Sequence, residues 1–205
     1  MRIRSLLLGV ASLAVIAIGL GLVAYAFIGQ GTANTASNDT ETEGFNVPEV
    51  EPTQERAADE TAEGPEDKTL KVTVPKMARV QNGTFPDAAG DDEEALKNNA
   101  GIHLRGTGFP WEDGANTYLA GHRLGYPNTD SFLAFWDLDA LENGDEVFVE
   151  DADGNRYTYR VFKEFVVNPT DLYVTEPVAG KDVLTLQTCT LPDYSRRLIV
   201  QAEKV

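Results

Sequence analysis

Residues Asp145–Val167 read DEVFVEDADGNRYTYRVFKEFVV, and this stretch decides the fold class. Asp145–Glu150 and Tyr157–Val167 each alternate apolar with polar residues, the period-2 pattern of a half-buried strand. Between them Asp151–Asn155 (DADGN) contains an Asp-Gly pair, whose glycine accepts the positive φ that a tight hairpin needs. The stretch therefore predicts two antiparallel strands. The same rhythm extends in both directions from about Thr69 to Val205. Leu70–Val74 reads as a strand ended by Pro75, Met77–Val80 as another before Asn82-Gly83, and Thr117–Gly121 (TYLAG) as a third. Val183–Thr188 and Leu198–Ala202 complete the set, whereas only Asp91–Asn99 and the region near Asp130–Leu141 carry partly helical spacing. Seven or eight strands at hairpin-like spacing predict a mostly-β domain, a small barrel or sandwich.

Upstream of this domain the composition changes twice. Arg2 and Arg4 precede Ser5–Ile28, 24 residues without a charge. As a helix it would span roughly 36 Å, enough for a ~30 Å hydrocarbon core with some tilt. With no Lys or Arg after it until Arg56, the arginines predict an inside N-terminus and an exported remainder. A cleaved signal peptide ending near Ala24-Tyr25-Ala26 is the competing reading, though the apolar run exceeds the usual signal core. Residues 29–68 are rich in Gly, Thr, Asn, Ser, Pro and acids, and predict a disordered linker. The division is thus 1–28 anchor, 29–68 linker and 69–205 folded domain. Of the net charge of −16, residues 39–68 contribute −9. A chain this acidic repels phosphate backbones, which argues against a nucleic-acid partner.

The chain has one cysteine, Cys189, so neither an internal disulfide framework nor a cysteine-rich zinc site is available. An exported thiol is an oxidation liability, so it calls for a reason; a buried small hydrophobe is the bland one. Cys189 ends the apolar run Thr185-Leu186-Gln187-Thr188-Cys189, and a strand terminus fixes the backbone while the side chain emerges at the rim. A thiol at its ordinary pKa needs a base or a cation to react. The base is one of two histidines: His122 in Ala120-Gly121-His122-Arg123, at a strand end, or His103 in the glycine-rich Gly101–Gly106. The strand-end context favours His122, and His103 reads more readily as structural. Arg197 opens the last apolar run eight residues after the cysteine, while Arg196 would point to the opposite face as a solvated charge. If the two strands are adjacent and antiparallel, Arg197 comes close to Cys189, where a guanidinium would stabilise an oxyanion.

Leu119–Arg123 (LAGHR), Thr185–Cys189 (TLQTC) and Arg197–Val200 (RLIV), in that order, resemble the motifs of a sortase. The TLxTC form and short Cys–Arg gap are most similar to class E sortases of Gram-positive, particularly actinobacterial, bacteria. Gly106-Thr107, Pro110 and Asn116 extend the likeness, although Gly101–Thr107 reads GIHLRGT where class E members often have HYPGT. The resemblance implies a closed eight-stranded sortase-type β-barrel with short helices, preceded by an N-terminal transmembrane helix. It implies His122, Cys189 and Arg197 as the catalytic set, with Ala120, Leu186 and Thr188 lining the substrate pocket. It implies a cysteine transpeptidase, with thiolate and protonated histidine as its active form, that cleaves an LPxTG- or LAxTG-like signal between Thr and Gly. The thioester would pass to a peptidoglycan precursor or a pilin amine. The partners would be secreted surface proteins, that amine acceptor and the membrane, and no cofactor or metal is called for.

Three other features carry plainer readings. Asp91–Glu94 (DDEE) reads as a solvated acidic face, since four consecutive acids do not all reach one cation. Trp111 and Trp136 read as core and pocket wall. A different wall-directed cysteine peptidase and a non-catalytic surface binding module are the competing function classes; the chain lacks the Ser-Gly-Cys context of L,D-transpeptidases.

Overall fold

The computed structural model describes residues 64–205. The anchor expected at 1–28 and all but the last residues of the linker expected at 29–68 lie outside the described residues, among which no helix is long and apolar enough to cross a membrane. Nine strands follow in order: β1 (Leu70–Thr73), β2 (Gly83–Phe85), β3 (Asp87–Ala88), β4 (Ile102–Leu104), β5 (Asn116–Ala120), β6 (Glu146–Glu150), β7 (Arg156–Val167), β8 (Val183–Cys189) and β9 (Arg197–Lys204). A short helix α1 (Glu93–Asn98) lies between β3 and β4, and 3-10 turns form at Leu138–Ala140 and Leu172–Thr175.

The hairpin expected from DADGN is present: β6 and β7 pair antiparallel with Glu150 opposite Arg156. Asp151 is buried and its carboxylate collects the turn, accepting from the Asp153 and Asn155 backbone N–H groups, the Asn155 amide and the Tyr157 hydroxyl. The strands join in the order β2-β1-β6-β7-β9-β8-β5-β4-β3. Its two edges come from one stretch of chain. Gly83–Phe85 pairs antiparallel with β1 and Asp87–Ala88 pairs parallel with β4, with Pro86 alone between them. Proline has no N–H to give a ladder, so a strand that would close the barrel is cut in two at that residue. The Pro86 carbonyl still accepts from the His103 N–H at 2.9 Å, which carries the seam across the break. The mostly-β, nearly closed barrel agrees with expectation; the count is nine and not eight because of Pro86.

Side chains from alternate positions fill two layers. Val72, Phe85, Leu119, Val149, Leu184, Leu186, Leu198 and Val200 meet inside the barrel. On the outer face Ile102, Leu104, Tyr118, Ala120 and Ile199 pack beneath Leu96 of α1 and Val174. Each such side chain, fully buried, contributes roughly 1.5–3 kcal/mol. Met77–Val80 is not a strand. The Met77 N–H donates to the Val74 carbonyl and the Val80 N–H to the Met77 carbonyl, so the segment is a turn, and the spacing of three buries both Met77 and Val80. The helical region expected near Asp130–Leu141 is a chain of turns with a single 3-10 turn at its end.

Candidate active site

β8 and β9 are adjacent and antiparallel, and their last registered pair is Cys189 opposite Arg197. The connection between them is 190–196, closed by the Thr190 N–H donating to the Arg196 carbonyl at 3.0 Å. Opposite residues in such a pair share a face of the sheet, so the thiol and the guanidinium emerge on the same side. Arg197 is 2% exposed, and its Nη1 donates to the Tyr194 and Arg196 carbonyls at 3.2 Å each. Those bonds fix the plane of the guanidinium next to the strand end. Arg196 takes the other direction, exposed and donating to the Val166 carbonyl.

β5 lies on the other side of β8, parallel to it, with Ala120 opposite Gln187. The Gly121 N–H donates to the Gln187 carbonyl at 3.1 Å, so the ladder runs one residue past β5. His122 follows, on the face of Ala120 and Cys189. Gly121 is required there: a Cβ would lie 2.9 Å from both the Ala100 carbonyl oxygen and a Phe135 ring carbon. Beyond His122 the chain leaves the sheet and is clipped back on itself. Phe135 N–H donates to the His122 carbonyl and Leu133 N–H to the Leu124 carbonyl, while Arg123 reaches Asp139 at 2.6 Å.

Burial dominates the electrostatics of this rim. Burial pushes the Cys189 thiol up, and the Arg197 charge opposes that shift with a smaller pull downward. Burial lowers the His122 pKa to about 4. The Tyr126 ring stands edge-on to the imidazole, 5.5 Å between centroids at 83°, and is itself held by Glu93 and Lys97 of α1. Desolvation is the main cause of both shifts.

A sulfur, an imidazole and a guanidinium on one face of three neighbouring strand ends can add a nucleophile to a carbonyl and hold the oxyanion. Residues 70–205 match the family model described as Sortase domain. The chain belongs to the sortase family. Sortase A of Streptococcus agalactiae serotype III (strain NEM316) is 35% identical over 91 residues, 44% of this chain and 36% of that protein. Among solved structures, Sortase A from Corynebacterium diphtheriae matches with a TM-score of 0.56 and 28% identity, covering 70% of this chain and 62% of that one. Sortase C1 of GBS Pilus Island 1 gives a TM-score of 0.56 at 30% identity, over 66% and 64%. Sortase C-1 from Actinomyces oris gives 0.57 at 28%, over 66% and 71%. The chain thus spans little more than a third of the length of its curated relative.

In this sortase the three residues expected to line the pocket divide between two faces. Ala120 is on the Cys189 face, opposite Gln187. Leu186 and Thr188 occupy the alternate positions of β8 and turn inward. Leu186 is part of the barrel interior, and Thr188 donates its hydroxyl to the Gly121 carbonyl at 2.8 Å. Strand alternation therefore makes Leu186 a core residue and Thr188 a tie between the cysteine strand and the histidine segment; neither lines the outer face. His103 is fully buried and structural. Its Nδ1 lies 2.9 Å from Asp87 Oδ1, its Nε2 lies 3.1 Å from the Gly108 carbonyl, and its ring stacks on Phe109. Within Asp91–Glu94, Asp92 caps α1 by accepting from the Ala95 N–H, and Glu94 accepts from Asn98. Trp111 packs against the interior as expected, but Trp136 is 40% exposed beside the Arg123 guanidinium.

Sequence reasoning missed Tyr126, Tyr118 and Gln187. Tyr126 comes after a glycine turn that no periodicity reports. Gln187 did leave a signal, as a long amide in a strand whose other side chains are aliphatic or small. Asn116, noted only as part of the motif likeness, donates to the Val174 and Glu176 carbonyls and accepts from the Thr185 hydroxyl. It fastens the 168–182 connection over the outer face.

Proposed function

We propose that this sortase is a membrane-anchored, extracytoplasmic cysteine transpeptidase with Cys189, His122 and Arg197 as its catalytic residues. The register of β8 on β9, with Cys189 facing Arg197, is the observation that carries the reading. The substrate would be a surface protein with an LPxTG- or LAxTG-like signal. As it binds, the Cys189 proton moves to His122 and the sulfur attacks the threonine carbonyl. Arg197 holds the oxyanion. The C–N bond to glycine then breaks, the imidazolium proton goes to the leaving amine, and a thioester remains. An amine of a cell-wall precursor or a pilin attacks that thioester, gives its proton to His122, and leaves through a new amide while the thiol is restored. Atoms and charges balance without a cofactor.

The class E kinship rests on the TLQTC form and the short Cys–Arg gap. Two similar structures, Sortase C1 of GBS Pilus Island 1 and the Streptococcus pneumoniae Sortase C studied for its pilin substrate specificity, support a pilin amine as one acceptor class. The anchor is supported by the uncharged run Ser5–Ile28 behind Arg2 and Arg4. The test is hydrolysis and aminolysis of quenched LPxTG and LAxTG peptides by the full chain in detergent, with product masses recorded. Cleavage between Thr and Gly is expected, lost in Cys189→Ala. Wild-type inertness toward both peptides would overturn the reading and favour a binding module.

A further inference from the structure

Every residue of β8 is buried, yet on the Cys189 face it carries two further polar side chains, Thr185 and Gln187. Thr185 is satisfied, donating to Asn116 Oδ1 at 2.7 Å and accepting from Gln201. Gln187 is satisfied at one end only. Tyr118 of the adjacent strand donates its hydroxyl to Gln187 Oε1. Burial pushes the Tyr118 phenol far up, outweighing the pull of Arg197, so the hydroxyl keeps its proton and its donor role. Fixed in that way, the amide leaves its nitrogen to find another partner. Gln187 Nε2 is buried, and no acceptor reaches it among the described residues. A buried N–H without an acceptor is costly to a fold, and a leucine at this position would remove the defect. The group therefore calls for a ligand.

The ligand is constrained by position and chemistry. Gln187 is two residues before Cys189 on the same face, about 6.6 Å along the strand, the length of two residues of extended peptide. The unpaired end of the amide is a donor, and the acceptor that recurs along an extended peptide is its main-chain carbonyl. We propose that Gln187 Nε2 binds a main-chain carbonyl of the sorting signal within two residues of the carbonyl that Cys189 attacks, with Tyr118 setting the amide's orientation. Gln187 is then a substrate-binding residue. Proline keeps its carbonyl while losing its N–H, so this contact serves LPxTG and LAxTG signals alike.

The inference rests on the transpeptidase reading and is tested with the full chain in detergent. Gln187→Leu should lower kcat/KM for both peptides 10- to 100-fold, chiefly through KM. Its rate of iodoacetamide alkylation should stay within twofold of wild type, and its Tm should be equal or higher. Gln187→Glu keeps the shape but replaces donor by acceptor, and should lose at least as much. Peptides in which the two carbonyls preceding the attacked one are replaced in turn by methylene complete the test. One of them should cost wild type the same factor and cost Gln187→Leu nothing more. A Gln187→Leu protein that cleaves like wild type, or losses that multiply in the variant–analogue pair, would overturn this inference and leave the transpeptidase standing. A wild type inert toward all peptides would remove both.

Discussion

The surroundings of His103 and of His122 invite comparison, because both rings are hidden, at 0% and 4% exposure. His103 looks at oxygen from both nitrogens. Asp87 faces one and Gly108 and Thr107 face the other, while the Thr107 hydroxyl spends its own proton on the Leu104 carbonyl. Burial pushes the Asp87 carboxyl up, but His103 and Arg105 outweigh it and hold it below its ordinary value. Such a ring is a rivet between β3, β4 and the following loop. His122 has a tyrosine edge against it and a pKa held near 4 by desolvation. Equal burial thus comes with different company: oxygens hold both nitrogens of His103, and a tyrosine edge packs on His122.

The largest expected effect breaks the pair on activity. Under the proposed mechanism His122→Ala should lower kcat/KM by roughly 10²–10⁴, whereas His103→Gln should leave it within a few-fold, both read by peptide cleavage. Stability should reverse the ranking. His103→Ala removes a buried group from charge-assisted hydrogen bonds and should cost about 2–4 kcal/mol in urea unfolding at pH 7; the same change at His122 should cost less.

The third prediction sharpens the contrast with pH. The His122 pKa is lowered on folding, so the unfolded chain, at about 6.5, takes up the proton first. Stability from this group is full above pH 6.5 and lost as pH falls toward 4, by up to about 3 kcal/mol. The difference in urea stability between pH 7 and pH 4 should shrink by that amount in His122→Gln. Next, Arg197→Gln removes the cation that draws the Cys189 thiol down, and should move the pH profile of alkylation to higher pH. The smallest effect concerns the strap. Thr188→Val deletes the hydroxyl bond to Gly121 and should lower kcat about fivefold, the equivalent of one ordinary hydrogen bond.

Legibility followed the range of the forces involved. β6 and β7 were readable because alternation is written locally, and β8 and β9 because each is a mostly apolar run of strand length bounded by turn residues. The β8–β9 hairpin also brought Arg197 to Cys189 as its spacing suggested. β2, β3 and β4 are two or three residues each and exist because the barrel closes on them, which no local window records. Met77 and Val80 misled because a turn burying two apolar residues three apart mimics a strand of the same content. His122 was found through its strand-end setting. The inward direction of Leu186 and Thr188 was already implied by counting from Cys189, whereas Tyr118's grip on Gln187 depends on a parallel register that only the folded sheet supplies.

The Pro86 seam has one more consequence. A sheet stitched to itself offers a visiting polypeptide almost no vacant ladder, since its terminal segments are three and two residues long. A guest chain therefore has little chance of docking by strand addition, the commonest way for an extended segment to have its backbone recognised. Under the proposed function, recognition then passes to side chains rooted in the wall, where a few polar groups must be accurately aimed.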